Sequence, residues 1–426
     1  QDVYDACGQQ IKTDLLEGNA VVLFAYGLSG SGKTFTVFGP DDPATPVAWF
    51  KHATPFDMWG IFPYLAYEVF EEKKDGWKIS MKYFQNVVSI CRDLQSPVCK
   101  EESYKTGMRK DKDGFMDVAW CTAVPLSSWD DLRSNFETSN ARKAISPTQF
   151  NHQSTRGHCI MTLEVEMPHP TMEGMKQKGR VYVCDLAGTE PAGDIVFAKY
   201  QHIKEEDGTM FHKYLGPHDD PKKTKELQDQ GKKINLSLTE MAQFFMKMAQ
   251  AIKKKKLKPG KSIPGCNSYF LCKFLKDTML QARTYLFCAI RPEVKYHNYT
   301  FSTLGFAKNA SVIKLSPKKA TAASSPMERK LMAELENMKK LVASLKDGGG
   351  GGGGAAAAGG GGDPAMAAKM QEMQDMLQQK QDALQAALAS QGATGASKAS
   401  NASLLDQQSE EYGRRGITMT EMTPEA

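Results

Sequence analysis

The octapeptide Gly27-Leu28-Ser29-Gly30-Ser31-Gly32-Lys33-Thr34 constrains this chain more than any other stretch. It satisfies G-x-x-x-x-G-K-[ST] and follows at once on the apolar run Ala20 to Tyr26 (AVVLFAY), which reads as a buried strand. Glycines let successive backbone N–H groups turn inward around phosphate oxygens. A helix opening at the end of the loop would aim its positive end at the same anion. Lys33 supplies a point charge for β- and γ-phosphates, and the Thr34 hydroxyl is a ligand for Mg²⁺. A strand, a phosphate loop and a helix in that order commit the chain to an α/β unit that binds a nucleoside triphosphate.

Further apolar strand runs, Arg180 to Asp185 (RVYVCD) and Thr284 to Ile290 (TYLFCAI), alternate with helical patterns around Ser127 to Ser139 and Glu226 to Ala251. Such alternation predicts a central sheet flanked by helices over residues 1–314. No run approaches 18 apolar residues, so no membrane span is expected. The first residue is Gln1, and neither a basic n-region nor an apolar h-region follows it, so no signal peptide is read. Nine scattered cysteines without a CxxC pair read as reduced thiols of a cytosolic protein, not as a disulfide scaffold or a cysteine zinc site.

Composition changes near Lys314. Leu331, Leu335, Met338, Val342 and Leu345 form a short heptad seam within 327–346, which leaves self-association as a homodimer open. The Gly/Ala-rich stretch 347–362 reads as a flexible linker. A weaker heptad, with Met366, Met370, Met373, Leu377 and Leu384, follows in 363–391, and 392–426 reads as a disordered tail.

Two more segments add chemistry to the phosphate loop. Asp185-Leu186-Ala187-Gly188-Thr189-Glu190 ends an apolar strand, where Asp185 can hold the Mg²⁺ shell through water and the Gly188 N–H can approach a γ-phosphate. Asn151-His152-Gln153-Ser154-Thr155-Arg156-Gly157-His158 sets two hydroxyls beside an arginine whose natural anionic partner is Glu190.

In this order and spacing the three segments resemble the motor domain of a kinesin. That family reads G-Q-T-G-S-G-K-T at the loop, N-x-x-S-S-R-S-H at its first switch and D-L-A-G-S-E at its second. Tyr83 to Val87 with Arg92-Asp93-Leu94, Asn140-Ala141-Arg142, Ile234 to Leu238, and Ser302 to Ala307 with Ile313-Lys314 resemble further landmarks. The resemblance implies a P-loop NTPase fold with a mostly parallel or mixed central sheet, ATP hydrolysis with Mg²⁺, and microtubules (tubulin) as partner. Gly27 to Thr34 would bind the phosphates, while Thr34, Thr155 and Asp185 would hold Mg²⁺. Ser154 and Gly188 would position water and the γ-phosphate, and Arg156 and Glu190 would close the two switches. Residues 315–326 stand where the neck linker would lie.

The sequence also departs from the family. The opening strand and the R-x-R-P segment are missing, which reads as an incomplete sequence, a truncated motor being the alternative. Pro191 to Gln230 is longer than the family's second-switch loop and reads as a surface insertion. Ile263 to Ser268 replaces P-Y-R-[DN]-S, with Gly265 and Cys266 where Tyr and Arg are expected. Lys253, Lys254, Lys255, Lys256, Lys258 and Lys261 crowd the loop after the family's microtubule-facing helix. Net charge is only +5, so a polyanion must be met by such a local cluster. Acidic tubulin tails fit it better than nucleic acid, because no aromatic platform sits among the lysines.

Overall fold

Helix α1 (Asp2–Leu16) leads through a tight turn at Gly18 into strand β1 (Ala20–Gly27), all eight residues of which are buried. Val21, Leu23 and Ala25 belong to one hydrophobic cluster and Ala20, Val22, Phe24 and Tyr26 to the other. A strand covered on both faces needs an apolar residue at every position, which is why this run carries no polar alternation. In this computed structural model the described residues are 2–155, 157–170, 175–206, 210–254, 263 and 265–313, with Asp375, Gln378, Gln379 and Asp382 further on.

Helices α2 (Lys33–Phe38) and α3 (Ile61–Glu71) precede six strands, β2 (Lys78–Val87), β3 (Ile90–Asp93), β4 (Glu101–Ser103), β5 (Met108–Lys110), β6 (Met116–Val118) and β7 (Val124–Leu126). Helix α4 (Trp129–Asn140) starts at a capping box: the Ser128 hydroxyl accepts from the Asp131 N–H at 3.1 Å and the Asp131 carboxylate from the Ser128 N–H at 3.2 Å. The hairpin of β8 (Ile145–Thr148) and β9 (Asn151–Thr155) is followed by β10 (His158–Pro168) and β11 (Lys176–Asp185).

A second hairpin, β12 (Ala198–Lys204) and β13 (Met210–Pro217), precedes the 33-residue helix α5 (Pro221–Lys253). Helix α6 (Phe270–Met279), strand β14 (Arg283–Ala289) and helix α7 (His297–Ser311) complete the unit. The stretch 191–230 is therefore not one enlarged loop. Asp220 caps α5 by accepting from the Lys223 N–H at 2.8 Å, and Pro221 fills the first helical position.

The main sheet runs β14-β1-β11-β10-β2-β3-β4, with β7 also on β2. It is mixed: β14, β1 and β11 are parallel, and pairing turns antiparallel from β10 onward. One face carries α1 to α4, where Trp49, Tyr83 and Phe136 interlock (Trp49–Phe136 centroids 4.6 Å apart, Tyr83–Phe136 stacked at 5.5 Å). The other carries α5 to α7, where Phe306 stacks on Tyr26 at 4.0 Å. Ala25 pairs with Asp185 and Gly27 with Ala289. The carboxyl ends of three parallel strands thus open at one edge, the general place for a ligand crevice in such sheets.

All nine cysteines are free. Among the described residues no helix is long and apolar enough to cross a membrane. The chain divides into compact units at residues 1–322 and 323–426. In the second, the four described positions are helical, with Gln378 Nε2 donating to Asp382 at 3.0 Å. The expected segments 315–326, 327–346, 347–362 and 392–426, and the rest of 363–391, lie outside the described residues.

Candidate nucleotide site

The loop Gly27 to Thr34 leaves the end of β1, and its Ser29, Gly30, Gly32, Lys33 and Thr34 line a cavity of about 600 Å³ together with Ser154, Thr155, Asp185 and Gly188. Gly32 adopts φ +95° as it enters α2, a conformation open to glycine and closed to branched residues. Helix α2 spans only six residues, so the cradle depends on loop amides and Lys33 more than on a helix dipole. Lys33 is buried, and its Nζ donates to the carbonyls of Gly27 (3.1 Å) and Leu28 (2.9 Å), which holds the ammonium under the loop.

Thr34 Oγ1 donates to Asp185 Oδ2 at 2.8 Å. The other oxygen of Asp185 is buried without a hydrogen bond. Burial pushes the Asp185 carboxyl up from its ordinary range, and the nearby Lys143 and Lys33 pull it back. A carboxylate with one free oxygen beside a threonine hydroxyl is a donor set that suits Mg²⁺, so these residues fit the metal that the phosphate loop implies.

The two switch segments meet the loop at one buried point. Ser29 N donates to Glu190 Oε2 at 3.0 Å, and the Ser29 and Ser154 hydroxyls lie 3.3 Å apart. A Cβ on Gly188 would come within 2.0 Å of Glu190 Oε2 and 2.7 Å of Ser29 N, so only glycine fits between loop and second switch. Thr155 lines the same cavity. Arg156 lies outside the described residues, and with it the expected Arg156–Glu190 pair.

Both switches also hold α5. Asn235 Nδ2 donates to the Glu190 carbonyl at 2.8 Å, and His158 Nε2 bonds Ser237 Oγ at 2.9 Å. These are two of the residues singled out in Ile234 to Leu238, and their placement supplies the reason for them. Helix α5 ends at Lys253 with Lys254 as its cap, while Lys255, Lys256, Lys258 and Lys261 lie outside the described residues.

Cys266 points inward at 7% exposure and sits at φ +57°, with Lys247 Nζ 3.7 Å from its thiol sulfur. Glu240 fastens the same turn by accepting from the N–H groups of Ser268 (2.8 Å) and Tyr269 (3.0 Å).

Sequence reasoning passed over Asp41 and Lys143, which form a half-buried ion pair of 2.9 Å on the cavity wall. Burial opposes the Lys143 charge, but Asp41 raises its pKa well above the ordinary value. The one local clue is that Lys143 follows Asn140-Ala141-Arg142. Arg142 itself is structural and donates to the Leu94 carbonyl at 2.8 Å.

A phosphate loop at the carboxyl edge of a parallel strand triplet, with a carboxylate on the adjacent strand hydrogen-bonded to its threonine, is the arrangement of a P-loop nucleotide site. Residues 1–208 match the family described as Kinesin motor domain. The kinesin-like protein KIF22 of Danio rerio is 27% identical over 322 residues, 74% of this chain and 42% of its own length. Kinesin heavy chain isoform 5C of Rattus norvegicus is 26% identical over 321 residues, 74% of this chain and 28% of its own length. The chain thus spans less than half the length of either relative. A KIF14 dimer (residues 391–772), solved in a two-heads-bound state with AMP-PNP in complex with a microtubule, shares the fold. It aligns at TM-score 0.58 and 21% identity over 77% of this chain and 81% of that one. Over residues 1–208 this chain is thus similar to the kinesin motor domain, and the curated relatives it matches are kinesins.

Proposed function

We propose that this chain is an ATP-hydrolysing motor that couples turnover to movement along microtubules. The observation that carries the reading is the meeting of Ser29, Ser154, Gly188 and Glu190 at one buried point, with both switches hydrogen-bonded to α5. Gly27 to Thr34 bind the phosphates. Thr34, Thr155 and Asp185 hold Mg²⁺, which when bound supplies charge neutralisation at the phosphate oxygens.

Ser154 and the Gly188 N–H orient the attacking water and the γ-phosphate. Glu190 occupies the Ser29 N–H with a carboxylate oxygen, the kind of acceptor a phosphate offers. It would yield that donor to the nucleotide and turn to Arg156, closing the switches and excluding water. Helix α5 is about 50 Å long, so one rigid element joins both switches to the lysines that begin at Lys253. Lysines 253, 254, 255, 256, 258 and 261 would attract the acidic tubulin tails electrostatically. On this reading the protein works on the microtubule cytoskeleton of the cytoplasm, and the 331–345 seam offers a route to a homodimer.

A second reading has a specific observation behind it. Cys266 is turned into the core where the family pattern has an arginine, which favours a non-motile microtubule-binding protein with uncoupled ATPase. Steady-state ATP hydrolysis with and without microtubules separates the two, with Lys33→Ala as blank. Stimulation of tenfold or more, about 1.4 kcal/mol of barrier, supports the motor. Turnover indifferent to microtubules, from protein that still sediments with them, supports the second reading. Turnover of the intact chain no greater than the Lys33→Ala blank under either condition sinks both.

A further inference from the structure

Three histidines gather at the rim of the nucleotide cavity, and nothing in the nucleotide chemistry uses them. His152 is the second residue of β9, His202 lies on β12 and His212 on β13. Asp42, from the segment after α2, stands beside them. His212 Nε2 lies 3.8 Å from Asp42 Oδ2, and the rings of His152 and His212 stack at 3.5 Å. One donor atom each from Asp42, His152 and His212 falls within 4.8 Å of the others, and all three residues are half-buried. His202 Nδ1 lies 2.6 Å from His212 Nδ1.

We propose that Asp42, His152 and His212 bind a zinc-class divalent cation that clasps the β12–β13 hairpin to the first-switch strand β9, with His202 orienting His212. Two imidazoles and one carboxylate select a first-row transition ion and disfavour Mg²⁺ or Ca²⁺, which take mostly oxygen. Three protein ligands leave the fourth tetrahedral position to water. Ligand separations around a tetrahedral zinc are about 3.4 Å, from metal–ligand bonds of about 2.1 Å, so the site needs only a modest closing and a turn of the stacked His152 ring.

If His212 binds through Nε2, its proton sits on Nδ1 and is donated to His202. That is the outer contact that usually fixes a ligand's tautomer.

The hairpin is already seated for this role. Tyr200 Oη donates to the Thr148 carbonyl at 2.7 Å, the Val196 N–H donates to Gln149 at 2.8 Å, and Thr148 bridges to Phe197. The metal would lock a contact that exists without it. The site stands on its own geometry and does not depend on whether the chain hydrolyses ATP.

The test is calorimetric titration of the full chain with Zn²⁺ after stripping with EDTA, repeated on His212→Ala and Asp42→Asn. The expected result is one saturable site, weakened at least tenfold by either substitution and about tenfold by His202→Ala. Cobalt(II) in place of zinc should give a d–d spectrum without a thiolate charge-transfer band. Amide exchange in 198–204 and 210–217 should slow with Zn²⁺ in the wild type and not in His212→Ala. A melt in EDTA matching the wild type shows that a variant has folded. Should His212→Ala fail to fold, Asp42→Asn and the cobalt spectrum still decide. Absence of saturable binding, binding indifferent to the substitutions, or a thiolate band that assigns the metal to cysteines would overturn the proposal.

Discussion

The phosphate cradle and the β12–β13 hairpin face each other across one cavity, yet they are built in different ways. The cradle is held by backbone: Ser29 N on Glu190, Lys33 under two loop carbonyls, and Gly188 with no room for a Cβ. The hairpin is held by side chains, through Tyr200 on Thr148 and the packed rings of His152 and His212, while Phe211, Tyr214 and Leu215 stand exposed. A backbone-built site fixes which residue types fit at each position. A side-chain-built one leaves many sequences equivalent. The cradle should therefore break under single-atom changes and the hairpin should absorb them.

The largest effect is expected at Gly188. An added methyl must displace Glu190 or the Ser29 amide, and the Ser29 amide is backbone that has little freedom to yield. Losing one such aligned donor typically lowers turnover by about 10²–10³. Gly188→Ala should therefore cut ATP turnover by about that factor while fluorescent-nucleotide binding falls far less. Turnover within twofold of wild type would show that the loop and second switch separate without loss, and the contrast with the hairpin would fail.

Acid should act next, again on the cradle side. His158 is fully buried, its Nδ1 has no hydrogen-bond partner, and burial lowers its pKa from 6.5 to about 4. The unfolded chain therefore binds the extra proton first as pH falls. Stability should be flat above about pH 6.5 and decline toward pH 4, by on the order of 3 kcal/mol at most from this one group. Urea midpoints at pH 7.5, 6 and 5 measure it. His158→Gln should flatten that slope, and an unchanged slope would assign the acid sensitivity elsewhere.

What was legible in the sequence follows the same division. The strand before the loop, the loop, Asp185 and Glu190 could be read from residue order because backbone approach and metal chemistry admit few alternatives there. The tie of Asn235 and Ser237 to the two switches was visible as a landmark but not as a contact, since its partners lie 45 and 79 residues away.

The hairpin was missed. Neither of its strands has a clean apolar face, so AKYQHIK and MFHKYLGP give weak alternation, and the stretch 191–230 read as a loop. Asp220-Pro221 is an ordinary helix start, but it was absorbed into that loop. Asp42, His152 and His212 carry no local pattern at all, because only the fold brings them together.

Within the hairpin, effects should be small and graded. Tyr200→Phe removes the hydroxyl that Thr148 accepts from and leaves the ring against His152. A neutral hydrogen bond at a half-buried site contributes about 1 kcal/mol. The expected result is a loss of that size in chemical denaturation, with ATP turnover within about threefold of wild type. A hundredfold loss of turnover would mean that the hairpin is part of the catalytic wall.

The smallest effect is expected at Phe211. Its side chain is 55% exposed and lies outside both hydrophobic clusters of the fold, and the residue pairs with Ile203 through the ladder backbone. Phe211→Ser removes apolar surface that is already largely in water, and surface changes of this kind usually fall within about 0.5 kcal/mol. Unfolding midpoints of the isolated chain should therefore be indistinguishable from wild type. Microtubule affinity measured on the same variant sharpens the comparison. An unchanged affinity leaves the hairpin as a passive rim to the cradle. A weakened affinity with unchanged stability would make the exposed row of Phe211, Tyr214 and Leu215 a contact surface, and the two walls of the cavity would then differ in partner as well as in construction.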